Sequence, residues 1–467
     1  MKTRDAVSAY QRYRSALLWA ILAVLVAVGS ARMGMSYDEG VWVTVGRRFL
    51  AGDRLYREVF DHKSPPILMI AGLLDMLPGS FELARAVFVG SIVGMLGAMT
   101  VGVARRLGVV RGRAAVLGLV IAALAAIQGF FALTAEMVGV LLLTAALLAM
   151  VNGHARLAAV LVAASVIAEP RLLFAIPALA LIAWETSGRQ RLWTFALPLG
   201  VIAVAGIGSF VVSSDLRFWL LEMPVISRLS FQPSASARAL TVGRSVFSML
   251  VIIVGLSGGV ALAGRRPRLS GVVLFGGTLG MVVLSRYGFP RYWMLLLPGT
   301  ALVAMEMSLD TWSEKTRTVG RVAALAALLP WIFVAAALFS FESGSSGKDE
   351  TTAAYLQSSL REGGTFVAFV DSTQLPALLP ENYGLATPAL IHFTFKSSRQ
   401  SGLLDQLGRE IDSADAVVMD PEVPGDGQLA VVWESFSQRL SEFPCVVDTG
   451  YEVRFRSERC PTPVVND

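Results

Sequence analysis

The feature that most limits how this chain can fold is a series of charge-free apolar runs, each long enough to cross a membrane. About 20 helical residues at 1.5 Å each span the hydrocarbon core, and a helix satisfies every backbone polar group of such a run. The sequence therefore predicts a polytopic helical membrane protein. The long runs lie at 86–104, 114–135, 192–214, 245–264, 269–285 and 322–341.

Shorter apolar runs complete the predicted bundle. They lie at 137–153, 157–168, 172–184 and 292–305. The first run, 15–33, lacks a small-x-small cleavage site, so we interpret it as a retained helix rather than a signal peptide. Together these segments predict about ten or eleven transmembrane helices over residues 1–341. The Glu169-Pro170-Arg171 triplet between two short runs indicates a tight helical hairpin or a kinked helix.

Composition and charge agree with lipid as the main solvent. Of 467 residues, 54% are hydrophobic and 16% are charged. The net charge of +5 hides an asymmetry, since residues 342–467 hold 19 acidic and 9 basic residues and the preceding part is strongly basic. Arginines gather at the ends of apolar runs without interleaved aromatic residues, which argues against a nucleic-acid partner.

The basic residues also predict the orientation of the chain in a cell membrane. Cytoplasmic loops carry an excess of lysine and arginine. Tracing the spans alternately from those loops places the N-terminus inside. It places residues 34–85, 215–244 and the tail after Phe341 outside. The basic loops contain Arg105, Arg106, Arg111 and Arg113, and Arg265, Arg266 and Arg268.

The acidic tail, residues 342–467, has the pattern of a small extracytoplasmic α/β domain. Candidate strands at 365–371, 386–393 and 414–420 alternate with amphipathic helices at 399–413 and 427–441. A hairpin is predicted through Thr449-Gly450. Both cysteines of the chain, Cys445 and Cys460, lie in this tail. They form a disulfide if the compartment is oxidising, or remain two free thiols.

The external loop 34–85 opens with two adjacent carboxylates. Asp38 and Glu39 directly follow the first span, where a carboxylate can act as a base toward a substrate held in the membrane. The alternative is that one of them caps the amphipathic helix predicted over 41–49. A second apolar stretch, 67–77, is too short to span and indicates an interfacial or re-entrant helix.

A dense charged cluster, residues 57–66, precedes that second stretch. Its two prolines force an extended start to the next helix and fix Lys63 near the headgroups. An ammonium there can bind a lipid phosphate, or it can simply snorkel to the interface. Asp61 and His62 are interpreted as supporting residues, with His62 as a local hydrogen-bond partner rather than a metal ligand.

These residues carry a resemblance to a known family. Tyr37-Asp38-Glu39-Gly40, followed by Phe60-Asp61-His62-Lys63-Ser64-Pro65-Pro66, resembles the GT-C glycosyltransferases, in particular the protein mannosyltransferase and aminoarabinose transferase branch. That branch has an acidic residue at the start of its first external loop and then a motif close to Asp-His-Lys-Pro-Pro-Leu. Here Ser64 replaces the first proline and Pro66-Ile67 replaces proline-leucine.

Two later motifs are also similar to the family. Thr134-Ala135-Glu136 resembles its second acidic site, and the segment 285–293 resembles its Arg-Tyr approach to a late span. Alternatively, Glu136 is an ordinary interfacial carboxylate, and Arg286 and Arg291 anchor the interface together with Tyr292. Arg171 either reaches the same site or only pairs with Glu169.

The resemblance implies a sugar transfer from a polyprenyl-phosphate donor to an extracytoplasmic hydroxyl of a glycan, lipid or protein, with inversion. Asp38, or Glu39 as the alternate, would be the base. Lys63 with Arg286, Arg291, Tyr292 and Arg171 would bind the donor phosphate. Some relatives hold a divalent metal between acidic residues of two external loops. The sequence does not decide whether Asp38 and Glu136 do so here.

Two other functions are compatible with parts of the sequence. A transporter or flippase of lipid-linked sugars also needs basic residues for phosphate, but it favours charges near span centres. A binding protein anchored in the membrane would need one helix, not ten.

Overall fold

The computed structural model describes most of the membrane part and about two fifths of the C-terminal tail. The described residues are 2–33, 35–55, 63–129, 131–213, 269–284, 290–307, 347–360, 364–369, 375, 384–385, 411–419, 439–457 and 460.

Eleven helices and five strands are labelled here in chain order within the described ranges. The helices are α1 Lys2–Arg32, α2 Tyr37–Leu50, α3 Pro65–Asp75, α4 Phe81–Arg106, α5 Arg111–Gln128, α6 Ala135–Val151, α7 Ala155–Ala168, α8 Ala175–Val212, α9 Leu269–Leu284, α10 Leu297–Met307 and α11 Gly347–Ser359. The strands are β1 Thr365–Phe369, β2 Gly384–Leu385, β3 Ala416–Met419, β4 Cys445–Asp448 and β5 Glu452–Phe455. Two 3₁₀ segments, Pro170–Phe174 and Pro290–Leu296, lead directly into α8 and α10.

The chain divides into two compact units, which are described separately. The membrane unit contains residues 1–33, 79–209 and 233–342, and the second unit contains residues 34–78, 210–232 and 343–467. The second unit therefore contains both the segment that follows α1 and the C-terminal tail.

Apolar helices build the membrane unit. Among the residues described, three segments are long and apolar enough to cross a membrane: Phe81–Arg106, Arg111–Gln128 and Pro170–Ser209. Small residues allow α1 and α4 to approach closely, since a Cβ added at Gly90 would lie 2.3 Å from the Ala23 carbonyl oxygen. The fully buried Arg85 of α4 donates to the Ser30 carbonyl, which caps the last turn of α1.

Several predicted spans are reproduced with changed ends. The run 86–104 lies within α4, and the run 269–285 begins with α9, which is described to Leu284. The prediction of one helix over 114–135 is wrong at its end, because α5 stops at Gln128 and a buried connection follows. Phe131 in that connection has φ 57°, which a helix cannot contain. The runs 245–264 and 322–341 lie outside the described residues.

The two runs flanking Glu169 form separate helices joined by a 3₁₀ segment, and the second helix is broken. α7 ends at Ala168, and Pro170 begins the 3₁₀ segment because its missing N–H is not needed in a first turn. The runs 172–184 and 192–214 both fall in the stretch that ends with α8, which is interrupted by non-helical residues Ser187 and Gly188.

In the second unit, α2 and α3 form a closely packed pair. A Cβ at Gly46 would lie 2.3 Å from the Leu68 carbonyl oxygen, so only glycine permits this approach. Arg47 forms a two-bond ion pair with Asp75, with Nη2 2.7 Å from Oδ1. The helices reproduce the amphipathic stretch predicted at 41–49 and the short apolar stretch predicted at 67–77.

The tail contains a five-stranded sheet in the order β2-β1-β3-β5-β4. β1 pairs in parallel with β2 and β3, and the β4–β5 hairpin extends the sheet antiparallel. This confirms the predicted α/β character. The strand expected at 386–393 lies outside the described residues, and β2 ends just before it. The helix predicted at 399–413 is described only at 411–413, and that at 427–441 only from Arg439, where a short 3₁₀ segment begins.

The hairpin turns at Gly450, whose φ is 93°. Cys445 lies opposite Phe455 in the β4–β5 register. Cys445 and Cys460 form a disulfide with a Cα–Cα distance of 5.5 Å. The chain therefore curls back after β5 to close this bond.

Candidate functional site

A buried carboxylate begins the site in the membrane unit. The Thr134 hydroxyl caps α6 by accepting a hydrogen bond from the Met137 N–H at 3.1 Å. This cap fixes the first turn of α6, where Glu136 is fully buried. A fully buried carboxylate requires positive partners, because removal of its charge from water is costly.

A close approach of α6 and α7 brings a second carboxylate to the same place. The Ser165 hydroxyl of α7 donates to the Gly139 carbonyl at 2.9 Å. A Cβ at Gly139 would lie 2.8 Å from the Glu169 Cβ, so glycine is needed for Glu169 to pack there. Glu169 also accepts from the Arg171 N–H at 3.2 Å, which starts the 3₁₀ segment.

The guanidinium of Arg171 joins both carboxylates. Its Nε donates to Glu169 Oε1 at 2.6 Å, and its Nη2 donates to Glu169 Oε2 at 2.8 Å. Nη2 also donates to Glu136 Oε1 at 2.8 Å. Among the described residues, the hydrogen bonds of this side chain involve Nε and Nη2. The side chain is 17% exposed.

The 3₁₀ segment before α10 supplies an aromatic ring and a second arginine. The Arg171 guanidinium lies 3.7 Å from the Tyr292 ring centroid, a distance typical of cation–π stacking. Arg291 lies 5.8 Å from the same centroid, and its Nε is 3.9 Å from Glu136 Oε1. These five residues are called the Arg171 cluster below: Glu136, Glu169, Arg171, Arg291 and Tyr292.

The Arg171 cluster is electrically balanced and preorganised. It contains two carboxylates and two guanidiniums, so its formal charge is zero. Glu136 lies between Arg171 and Arg291 and reduces their mutual repulsion. The side chains of Arg171 and Arg291 are 17% and 20% exposed, and a guanidinium binds an anionic oxygen with defined geometry.

The two adjacent carboxylates of the second unit, Asp38 and Glu39, both lie in the first turn of α2 but have different surroundings. Ser36 is the N-cap of α2, and its N–H donates to Glu39 Oε2 at 2.8 Å in a capping box. The expectation that Asp38 or Glu39 is itself the N-cap is therefore wrong, but Glu39 does serve the cap. Glu39 is fully buried, whereas Asp38 is half-buried in the same first turn.

Lys63 lies immediately before α3, as the two prolines predicted. Pro65 occupies the first turn, and Ser64 has the extended backbone of an N-cap. Lys63 is 6% exposed, and its Nζ is 5.7 Å from the Trp42 ring centroid. A lysine this buried differs from one that snorkels freely into water.

The structure places some of the predicted site residues together, whereas others lie outside the described residues. Glu136, Arg171, Arg291 and Tyr292 lie together, although Glu136 and Arg171 are 35 positions apart. Asp61, His62 and Arg286 lie outside the described residues. Glu169 was missed as a site residue, and its signal was the Glu-Pro-Arg triplet within a short hairpin.

Comparisons with known proteins give a clear fold. No protein-family model matches the chain, and no curated protein matches it significantly. ArnT from Cupriavidus metallidurans in the apo state matches with a TM-score of 0.65 and 15% identity, over 98% of this chain and 100% of that one. The structure of ArnT bound to undecaprenyl phosphate matches with a TM-score of 0.65 and 13% identity, over 96% and 99% of the two chains.

Two further structures share the architecture. Arabinofuranosyltransferase AftD from Mycobacteria has a TM-score of 0.56 and 15% identity over 95% of this chain, which spans 40% of AftD. The Archaeoglobus fulgidus oligosaccharyltransferase has a TM-score of 0.51 and 11% identity, over 87% of this chain and 69% of that one. All of these are GT-C glycosyltransferases, so the chain has the GT-C fold. The predicted resemblance and fold class are confirmed at this level.

A divalent metal does not fit the described residues well. In the described ranges, no group of three or more histidine, cysteine or carboxylate side chains is placed to hold a metal ion. Glu136, one of the two predicted ligands, directs Oε1 toward Arg171. No step below therefore uses a metal.

Proposed function

We propose that the chain is a membrane glycosyltransferase that moves a sugar from a polyprenyl-phosphate donor to an extracytoplasmic acceptor hydroxyl. The observation that carries the proposal is the Arg171 cluster, where two arginines and a tyrosine meet in a GT-C fold. The likeness to ArnT, which has been solved with undecaprenyl phosphate bound, supports a lipid phosphate as the ligand.

The donor phosphate would be bound by cations that are fixed before it arrives. In the membrane unit, Arg171 and Arg291 are the proposed donors to phosphate oxygens. Lys63, in the second unit, is proposed from its sequence motif alone as a further phosphate-binding cation. When the sugar leaves, negative charge grows on the phosphate. Donors that are already oriented stabilise that charge without reorganisation, especially where little water is present.

Asp38 is the proposed base. It would accept the proton of the acceptor hydroxyl while that oxygen forms a bond to the anomeric carbon. The bond from the anomeric carbon to the phosphate oxygen breaks, and the phosphate departs with the electron pair. Attack opposite the leaving group inverts the anomeric centre. Glu39 is the weaker choice, because its carboxylate is used in the capping box.

The orientation in the membrane is part of the proposal. With the N-terminus in the cytoplasm, the starts of α2 and α6 would both lie on the outer side, as would the segment before α10. Residues 342–467 would form an extracytoplasmic domain after a catalytic membrane part, residues 1–341. A disulfide between Cys445 and Cys460 suits that compartment.

Ligand identification tests the donor class directly. We expect mass spectrometry of the purified full-length protein to detect a copurified polyprenyl phosphate. The protein should also release undecaprenyl phosphate from one member of a panel of undecaprenyl-phosphate sugars, carrying mannose, aminoarabinose or arabinofuranose, when acceptor membranes are added. Binding without release, together with transbilayer movement in liposomes, would instead support a flippase.

A further inference from the structure

Arg171 is held more firmly than a residue that only binds a ligand needs to be. Three of its N–H groups donate to Glu169 and Glu136, at 2.6 to 2.8 Å. One face of its guanidinium lies over the Tyr292 ring. Glu169 supplies two of the three bonds and also accepts from the Arg171 backbone, so it controls both the main chain and the side chain of Arg171.

We infer that Glu169 is a positioning residue that holds Arg171 as a fixed support for Tyr292 and Arg291. The inference rests on the proposed function and deepens it, because it concerns the arrangement of the same phosphate site. In this arrangement Arg171 contributes through its fixed geometry and its contacts as well as through its charge.

The support acts through two contacts from Arg171 to the segment before α10. The first is the stacking of the Arg171 guanidinium on Tyr292, whose chain neighbour is Arg291. The second passes through Glu136, which accepts from Arg171 and lies 3.9 Å from the Arg291 Nε. Without its hydrogen bonds to Glu169, the Arg171 side chain would be free to rotate, and both contacts would weaken together.

Positioning and simple charge make opposite predictions for Glu169→Gln. This substitution removes a negative charge beside the site and keeps nearly the same size. If only the electrostatic potential mattered, an anion would bind more tightly to the variant. If Glu169 positions Arg171, the weaker amide contacts loosen the cluster and the anion binds less tightly.

Arg171→Lys provides a second discrimination. Lysine keeps the positive charge but has no planar fork to pair with two carboxylates and to stack on a ring. A site that needs only a charge would tolerate lysine, whereas a fixed support would not. Glu185→Gln is the matched control, since it removes the same charge from an exposed position on α8.

The experiment is a titration of the full-length protein in detergent with undecaprenyl phosphate, together with thermal unfolding. We expect Glu169→Gln and Arg171→Lys each to raise Kd by about ten-fold, the size expected for one lost charge-assisted contact. Glu185→Gln should bind as the wild type does. A combined variant should be no worse than either single change, because both remove one arrangement.

The experiment distinguishes failure of the positioning role from failure of the proposed function. Equal or tighter binding by Glu169→Gln overturns the positioning role, as does wild-type binding by Arg171→Lys. If Glu169→Gln does not fold, Arg171→Lys alone decides between a support and a point charge. A wild-type protein that does not bind undecaprenyl phosphate refutes the proposed function itself, and the inference with it.

Discussion

Replacing Gly139 by alanine should disturb both the packing of α6 on α7 and the Arg171 cluster. The added Cβ would lie 2.8 Å from the Glu169 Cβ and 3.0 Å from the Leu172 Cδ1. Carbon atoms in contact normally lie about 3.5 to 4.0 Å apart. Because the Glu169 Cβ moves only with its backbone, the helices must separate locally by about 1 Å.

The energetic cost follows from this separation. Overpacking a closely packed contact costs about 1 to 3 kcal/mol. The better helix propensity of alanine returns about 1 kcal/mol. The net loss of about 0 to 2 kcal/mol would be modest for stability. It would be larger for function, because a shift of about 1 Å exceeds the tolerance of the Arg171–Glu136 hydrogen bond, which joins this segment to α6 at 2.8 Å.

The assay compares three glycine substitutions by thermal unfolding and by undecaprenyl phosphate titration. Gly90→Ala disturbs the α1–α4 contact and should lower the melting temperature with little change in Kd. Gly112→Ala meets nothing within 4 Å and should change neither quantity. Gly139→Ala should raise Kd several-fold. If it lowers stability as Gly90→Ala does but binds normally, the packing of Gly139 on Glu169 does not control the site.

The remaining predictions concern the second unit. Asp38→Asn should reduce donor cleavage by about 10² to 10⁴-fold without changing the melting temperature, and wild-type turnover would remove Asp38 from the mechanism. Glu39→Gln should remain active, while Glu39→Ala should lose about 1 kcal/mol of helix stability by thermal unfolding. Lys63→Ala should weaken undecaprenyl phosphate binding more than Lys63→Arg; equal Kd values would leave Lys63 outside the site. An impermeant thiol reagent should label Cys445 and Cys460 in intact cells only after reduction; labelling without reduction would exclude the bond.

Periodicity and turn chemistry made much of the fold predictable. Apolar runs bounded by arginine predicted the positions of α4 and α9, because hydrophobicity and flanking charge are local properties of a single span. The Thr449-Gly450 pair predicted the hairpin, since glycine adopts the positive φ that the turn requires. The end of α5 was not predictable from apolar content. Gln128 to Leu133 is as apolar as a span, and a buried connection has the same composition as a helix.

The site was predictable in its parts but not in its pairings. Glu136 and Arg291 were identified by resemblance, yet no local pattern shows that both meet Arg171. Glu169 appeared from the sequence to be only the neighbour of Arg171. Glu169 can pack against the first turns of α6 only because Gly139, which lies 30 positions earlier, has no side chain. Such long-range packing is set by the whole bundle.

The acidic residues at the starts of helices also constrain the choice of base. Glu39 and Glu136 are fully buried, and Glu169 is nearly so; each already accepts hydrogen bonds that hold a helix start or an arginine. A carboxylate whose oxygens are already used in a helix cap or an ion pair is less able to turn toward an acceptor hydroxyl. Asp38 differs in being half-buried and in not serving the α2 capping box. A base that must accept a proton during each turnover is therefore better sought at Asp38 than at Glu136, even though both motifs resemble acidic sites of the same family.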